Sequence, residues 1–180
     1  MQGSQGEAWV EAVRAALVAV AVAEDAEPMR AYMKSEMPFL GVRSAARREA
    51  VGAVFRAARF ADAGAWRGAA RALWFGARFR EERYAAIDLL QDRRHGRWLD
   101  LEAVPLLEEL IVSGAWWDLV DPLCTISLGA LVAREREARR RGDSASQLRL
   151  LLLLGRQGAA EGFRPPVVVH PLGRLGVGNL

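Results

Sequence analysis

The 180-residue chain has one cysteine, Cys124, two histidines and, among its 25 basic residues, a single lysine, Lys34. One thiol excludes an internal disulfide framework and a cysteine-based zinc cage. His95 and His170 stand far apart and outside any ligand spacing, so no metal is expected. No apolar run approaches the roughly 18–20 residues that cross a bilayer. The nearest candidate, Ala15 to Ala23, follows Glu7, Glu11 and Arg14, the wrong flank for a secretory signal. A cytoplasmic protein without membrane contact is therefore expected. A phosphate-binding glycine loop, a Ser–His–Asp set and an HExxH pair are also missing, and strand-like alternation is nearly absent.

Apolar residues make up 52% of the chain and charged residues 26%, the balance of a globular protein long enough for a real core. The net charge of +3 is unevenly placed. Residues 134–180 hold nine arginines against four acids, a local +5, which leaves residues 1–133 at −2. Any nucleic-acid argument for the main body must therefore rest on where its arginines sit, not on net charge.

Helical periodicity dominates residues 7–133. Trp9, Val10, Val13, Leu17, Val20 and Ala21 recur three and four apart over 7–23. Pro28 predicts a helix start, with the segment running to Met37 before Pro38, and Gly41 closes the "PFLG" connector. Ser44 is a suitable N-cap for a helix over 45–60 that turns Val51, Val54 and Phe55 inward. "WRGAARALWF" predicts another helix, ending before Gly76. A further one over 80–94 sets Tyr84, Ile87 and Leu90 inside and Glu81, Glu82, Arg93 and Arg94 outside. "DLEAVPLLEELIVSG" and "WWDLVDPLCTISLGALVA" complete the series. A helix pair every 35–40 residues is the length scale of a solenoid, in which each pair buries its face on the next; a compact bundle is the competing arrangement.

The chemical candidates are aromatics and carboxylates. Trp117 and Asp121, four apart, share one face of a helix. Against this, Asp–Pro is a favoured N-cap and N1 pair, and Pro122 disfavours helical geometry at Asp121. Trp116, Trp117 and Tyr32 can each be core or cleft residues.

Three stretches, "AEPMRAYMKSEMPFLGVRSAARRE", "ALW…REERYAAIDLL" and "LEELIVSGAWWDLVDPL", together resemble the AlkD-type bacterial DNA alkylation-repair glycosylases. The resemblance is collinear over roughly residues 7–133, and "YMKxxxPFLGV" and "ELIxxxxWWDxVD" are its most specific phrases. It implies an all-α, HEAT-like α-α superhelix that hydrolyses the N-glycosidic bond of cationic N3- or N7-alkylated purines in double-stranded DNA. A base that is already cationic leaves without help, so no cofactor is expected, and the chain is expected to act as a monomer. Carried over residue by residue, Tyr32, Trp117 and Asp121 line the cleft, with Asp121 facing the deoxyribose and Trp116 packing. Phosphate contacts are expected from Arg43, Arg47 and Arg48 around the start of the Ser44 helix, and from a second cluster, Arg78, Arg80 and Arg83. A non-catalytic helical-repeat module that binds DNA or a protein is the alternative reading.

After Ala133 the texture changes to an arginine-rich and then Gly/Pro-rich tail, so the expected division is 1–133 and 134–180. The later helical pairs of the family, which contribute another Trp and an Arg, are not legible there. The expectation is a truncated superhelix, a glycosylase either complete or degraded to an unstable or inactive form, whose tail has the character of a shifted reading frame in a GC-rich gene.

Overall fold

The computed structural model describes residues 2–142, and the greater part of the expected tail lies outside them. The elements run α1 (Gln2–Ala19), α2 (Ala23–Met33), α3 (Ser44–Ala57), α4 (Ala63–Phe75), α5 (Arg80–Leu90), α6 (Val104–Gly114), α7 (Trp117–Pro122) and α8 (Gly129–Arg140). Short 3-10 turns precede α6, and a π-helical segment, Leu123–Leu128, joins α7 to α8. No strand occurs among the described residues. The fold is an all-α helical-repeat arrangement.

Apolar spacing explains the packing. On α4, Trp66, Ala69, Ala70, Leu73 and Trp74 follow the i, i+3, i+4, i+7, i+8 rule and are all buried. They face Ala85, Ala86, Leu89 and Leu90 of α5, and the alanines on both sides let these two helices sit close. α1 lies across α3, α4 and α5 through Val13 and Leu17. α6 and α7 extend the stack, with Leu107, Leu110 and Leu119 closing it from the other end. Trp66 and Trp74 are fully enclosed; truncating either to alanine would remove roughly 3–5 kcal/mol. Asp62 caps α4 by accepting from the Ala65 amide at 2.7 Å.

Several local expectations are revised. α2 begins at Ala23, five residues before Pro28, so the proline lies inside the helix instead of opening it. Glu24 and Asp25 in the first turn suit the positive end of that helix, which offsets the hydrogen bond that proline cannot donate. Ser44 is the first helical residue of α3, and Arg43, without a side-chain cap, precedes it.

Glu81 and Glu82 are buried, not outside. Glu82 accepts from Arg14 of α1 at 2.8 Å. Glu81 accepts the backbone amides of Leu40, Gly41 and Val42 at 3.0–3.1 Å, and so clamps the Pro38–Gly41 connector onto the start of α5. Gly41 has φ +80°, and a Cβ there would lie 1.9 Å from the Val22 carbonyl oxygen. Only glycine fits.

Beyond Ala133, α8 continues to Arg140, and Arg134 donates to the carbonyls of Gly96, Arg97 and Leu99. The composition-based boundary therefore falls within a continuous helix.

Candidate nucleic-acid cleft

α2, α3, α5 and α7 border one open cleft of about 730 Å³. Tyr32, Arg43, Arg47, Arg48, Trp117 and Asp121 all line it, together with Asp25, Tyr84, Asp88 and Asp118. The cleft thus gathers residues that lie up to about a hundred positions apart in the chain.

Local geometry on α7 explains how two of them are presented. Trp116 is extended, and the amides of Leu119 and Val120 bond back to its carbonyl, so the helix starts at Trp117. Pro122 stays helical (φ −67°, ψ −30°), which keeps Asp121 within the same helix as Trp117. Asp121 caps nothing, and its carboxylate makes no hydrogen bond or ion pair among the described residues. Beyond the proline the ladder widens into the π segment, where the Thr125 hydroxyl donates to the Asp121 carbonyl at 2.6 Å. Leu119, on the opposite side of α7, is fully buried.

The aromatic rim is solvent-facing. Tyr32 is 79% exposed and Trp117 45%. Trp116, expected to pack, is 40% exposed but does not line the cleft. Exposed side chains of this size beside one concavity are unusual on a monomeric surface and suit stacking against a ligand.

Electrostatically, four aspartates line the cleft, and three are neutralised. Asp25 accepts from Arg43 at 2.8 and 3.0 Å. Asp88 accepts from Arg47 at 2.7 and 3.3 Å. Asp118 accepts from Arg80 at 3.1 and 2.7 Å and also from the Tyr84 hydroxyl. Burial, and then this donation to Asp118, hold the Tyr84 hydroxyl protonated well above its ordinary range. The Arg47 guanidinium also lies 4.9 Å over the Tyr84 ring. Asp121 is the fourth. Burial and, less strongly, the field of Asp121 raise the pKa of the Cys124 thiol, which is half-buried.

The arginines divide by position. Arg43 and Arg48 are exposed at the α3 start, whereas Arg47 is 8% exposed and committed to Asp88. Arg78, Arg80 and Arg83 do not line the cleft. Arg78 is exposed and 3.4 Å from Glu11. Arg80 is buried on Asp118, so contact with a phosphate would first require breaking that pair. Arg83 packs its guanidinium over Trp74, with its Nε buried and unpartnered. Desolvation, reinforced by the neighbouring Arg80 charge, lowers its pKa.

Asp88 and Gln91 also line the cleft, although no distinctive sequence phrase marks them. Tyr84, Ile87, Asp88 and Gln91 form an i, i+3, i+4, i+7 stripe on α5, and all four line the cleft. That stripe was the available signal. No group of three or more His, Cys, Asp or Glu side chains among the described residues is placed to hold a metal ion. No helix among them is long and apolar enough to cross a membrane.

The described helices thus form a helical-repeat array with one aromatic-rimmed, arginine-bordered cleft. The sequence model of the DNA alkylation repair enzymes matches residues 13–147, and the chain belongs to that family. The match starts later and ends later than the resemblance over 7–133. No curated protein matches the chain.

Proposed function

We propose that this DNA alkylation repair family member is a DNA glycosylase that removes cationic N3- or N7-alkylated purines from double-stranded DNA. One observation carries the reading. Of four aspartates lining the cleft, only Asp121 lacks a cationic partner among the described residues, and it sits one helical turn from the exposed Trp117.

The chemistry needs little more. An alkylated purine already carries a positive charge, so the C1′–N bond breaks with its electron pair returning to the base. The base then leaves neutral without a general acid. The sugar acquires oxocarbenium character, and water adds at C1′ with loss of a proton. A fixed carboxylate beside C1′ stabilises that developing cation electrostatically and can orient the water. The Trp117 face adds cation–π attraction of about 0.5–2 kcal/mol. Tyr32, across the cleft, supplies a second stacking surface. Arg43 and Arg48, at the start of α3, are placed to grip phosphates. No cofactor enters this scheme, and a single copy of the chain carries every group it uses.

The test is release of free 7-methylguanine and 3-methyladenine from methylated duplex DNA. The wild type should release base, and Asp121→Asn should slow release at least a hundredfold with duplex affinity retained. Equal release by both proteins removes Asp121 from the mechanism. Duplex binding without release by either favours the non-catalytic module.

A further inference from the structure

We propose that Asp118, held by Arg80 and Tyr84, is a positioning residue that fixes the rotational setting of α7 and so aims Trp117 and Asp121 into the cleft. This rests on the glycosylase reading for its catalytic consequence, but its structural content stands apart from it.

α7 opens a helical run that continues through Leu123–Leu128 into α8. The π segment interrupts the regular ladder just after α7, so the rest of that run fixes the setting of its first turns only loosely. Contacts to neighbouring helices supply what the widened ladder does not. Leu119 anchors one side by burial, but an apolar contact resists rotation only weakly because it has no direction. Two directional contacts add to this, one from α5 and one from Gln91, the residue that caps its C-terminus. At the first turn, Asp118 receives Arg80 in a two-pronged pair (3.1 and 2.7 Å) and the Tyr84 hydroxyl. At the last residue, the Gln91 side-chain amide donates to the Pro122 carbonyl at 3.2 Å. Arg80, Tyr84 and Gln91 are spaced four and seven along α5, so one stripe of that helix grips α7 at both ends.

The grip is itself rigid. Arg80 and Asp118 are each 7% exposed at the side chain. The Arg80 amide is bonded to the Pro38 carbonyl at 2.9 Å, and the Tyr84 ring is held by Arg47 and Phe39. A charge-assisted two-pronged pair fixes angle as well as distance. Asp118 lies one residue from Trp117 and three from Asp121, so any rotation it prevents would carry both out of line with a docked sugar. A displacement of about 1 Å is enough to cost on the order of a hundredfold in rate.

The experiment uses Tyr84→Phe and Asp118→Asn in the full chain, read at a temperature well below unfolding. Tyr84→Phe keeps the ring for Arg47 and Phe39 and deletes only the hydroxyl, so it separates positioning from folding. The expected result is unchanged duplex affinity, within about twofold, and a single-turnover release rate lowered about tenfold. Combining Tyr84→Phe with Asp121→Asn should lower the rate no further than Asp121→Asn alone, because the hydroxyl acts through Asp121. The second readout needs no activity. In spectra of 15N-indole-labelled protein without DNA, the Trp117 signal should shift or broaden in both variants while that of Trp66 stays fixed.

A moved Trp117 signal in a protein that releases no base sustains the positioning and overturns the glycosylase reading. Unmoved Trp117 signals in both variants overturn the positioning, whatever the activity. Rates in the folded variants equal to wild type, or an additive double variant, overturn its catalytic consequence.

Discussion

Glu81 offers the sharpest test of how the cleft is held together. Its carboxylate is fully buried and accepts the amides of Leu40, Gly41 and Val42, four contacts of 3.0–3.1 Å in all. Replacing it with alanine leaves those three donors without a partner. Two of them, at Gly41 and Val42, are buried, at about 1–3 kcal/mol each when unpaired; the third, at Leu40, is part-exposed and can turn to water. The loop cannot simply relax, because Gly41 is already pressed against the Val22 carbonyl and the Pro38 carbonyl is tied to Arg80. The expected loss for Glu81→Ala is about 4 kcal/mol, or roughly 10–15 °C in Tm for a domain of this size. Glu81→Gln should lose less, about 1–2 kcal/mol, because one amide oxygen can keep all three acceptor contacts without the charge. Urea unfolding followed by circular dichroism gives both values from the midpoint at constant slope. A loss below about 1 kcal/mol for Glu81→Ala would refute the reasoning. So would equal losses for the two variants, since the amide would then be no better than nothing.

Three further outcomes follow from other positions. Gly41→Ala should destabilise by at least 3 kcal/mol in the same assay, because it combines φ +80° with a Cβ 1.9 Å from a carbonyl oxygen; a variant within 1 kcal/mol of wild type contradicts the described loop. His95, stacked on Trp98 and edged by Phe60, is buried with its Nδ1 unpartnered. Burial lowers its pKa, Asp92 opposes this, and Arg94 and Arg97 reinforce it. The folded state therefore favours the neutral ring: its contribution is complete above the unfolded value of about 6.5 and declines as pH falls from there toward the depressed folded value. Melting temperatures across pH 5–7.5 should fall more steeply on acidification for wild type than for His95→Gln, and parallel curves would exclude this origin. Charge reversal at Arg43 or Arg48 should weaken duplex binding and flatten its salt dependence, whereas Asp25→Asn, which frees Arg43 from its pair, should tighten binding; unchanged salt slopes would remove both arginines from the phosphate contacts.

How much of this was written in the sequence differs by feature. The helices were legible because their apolar residues repeat at helical spacing, as on α4, where Trp66 to Trp74 trace the buried stripe. The boundaries were less so. Pro28 looks like a helix start by local rules, yet α2 begins five residues earlier, its acidic first turn matching the positive end of the helix. Glu81 and Glu82 read as solvent-facing because charge alone says nothing about buried partners. Their acceptor roles depend on a loop 40 residues upstream and on Arg14 of α1, and no local pattern encodes either. The "WWDLVD" phrase located α7, but it could not say whether Pro122 would break the helix at Asp121. The structure keeps that residue helical and moves the disturbance downstream into Leu123–Leu128, where Thr125 bonds to the Asp121 carbonyl.

The same distinction explains why the cleft aspartates could not be ranked from sequence. Asp25, Asp88, Asp118 and Asp121 all precede or sit within helices, and nothing local separates them. What separates them is the pairing of the first three with Arg43, Arg47 and Arg80, across 18, 41 and 38 residues of chain. An ion pair lowers what a carboxylate can offer an incoming cation, because binding the newcomer means giving up the existing partner. A carboxylate without a partner, half-facing solvent beside an indole, has no such obstacle. Under the proposed reading the fold divides the cleft by charge: exposed arginines on the α3 side meet phosphates, and the one unpaired acid on the α7 side meets the sugar. The arrangement makes a directional demand that mutation can expose. Supplying Asp121 with an internal cation, for example by Ile126→Arg on the cleft wall, should suppress base release while leaving Trp117, Tyr32 and the arginine rim intact. If that variant released base at the wild-type rate with Asp121 demonstrably paired, the freedom of this carboxylate would not be what the chemistry requires.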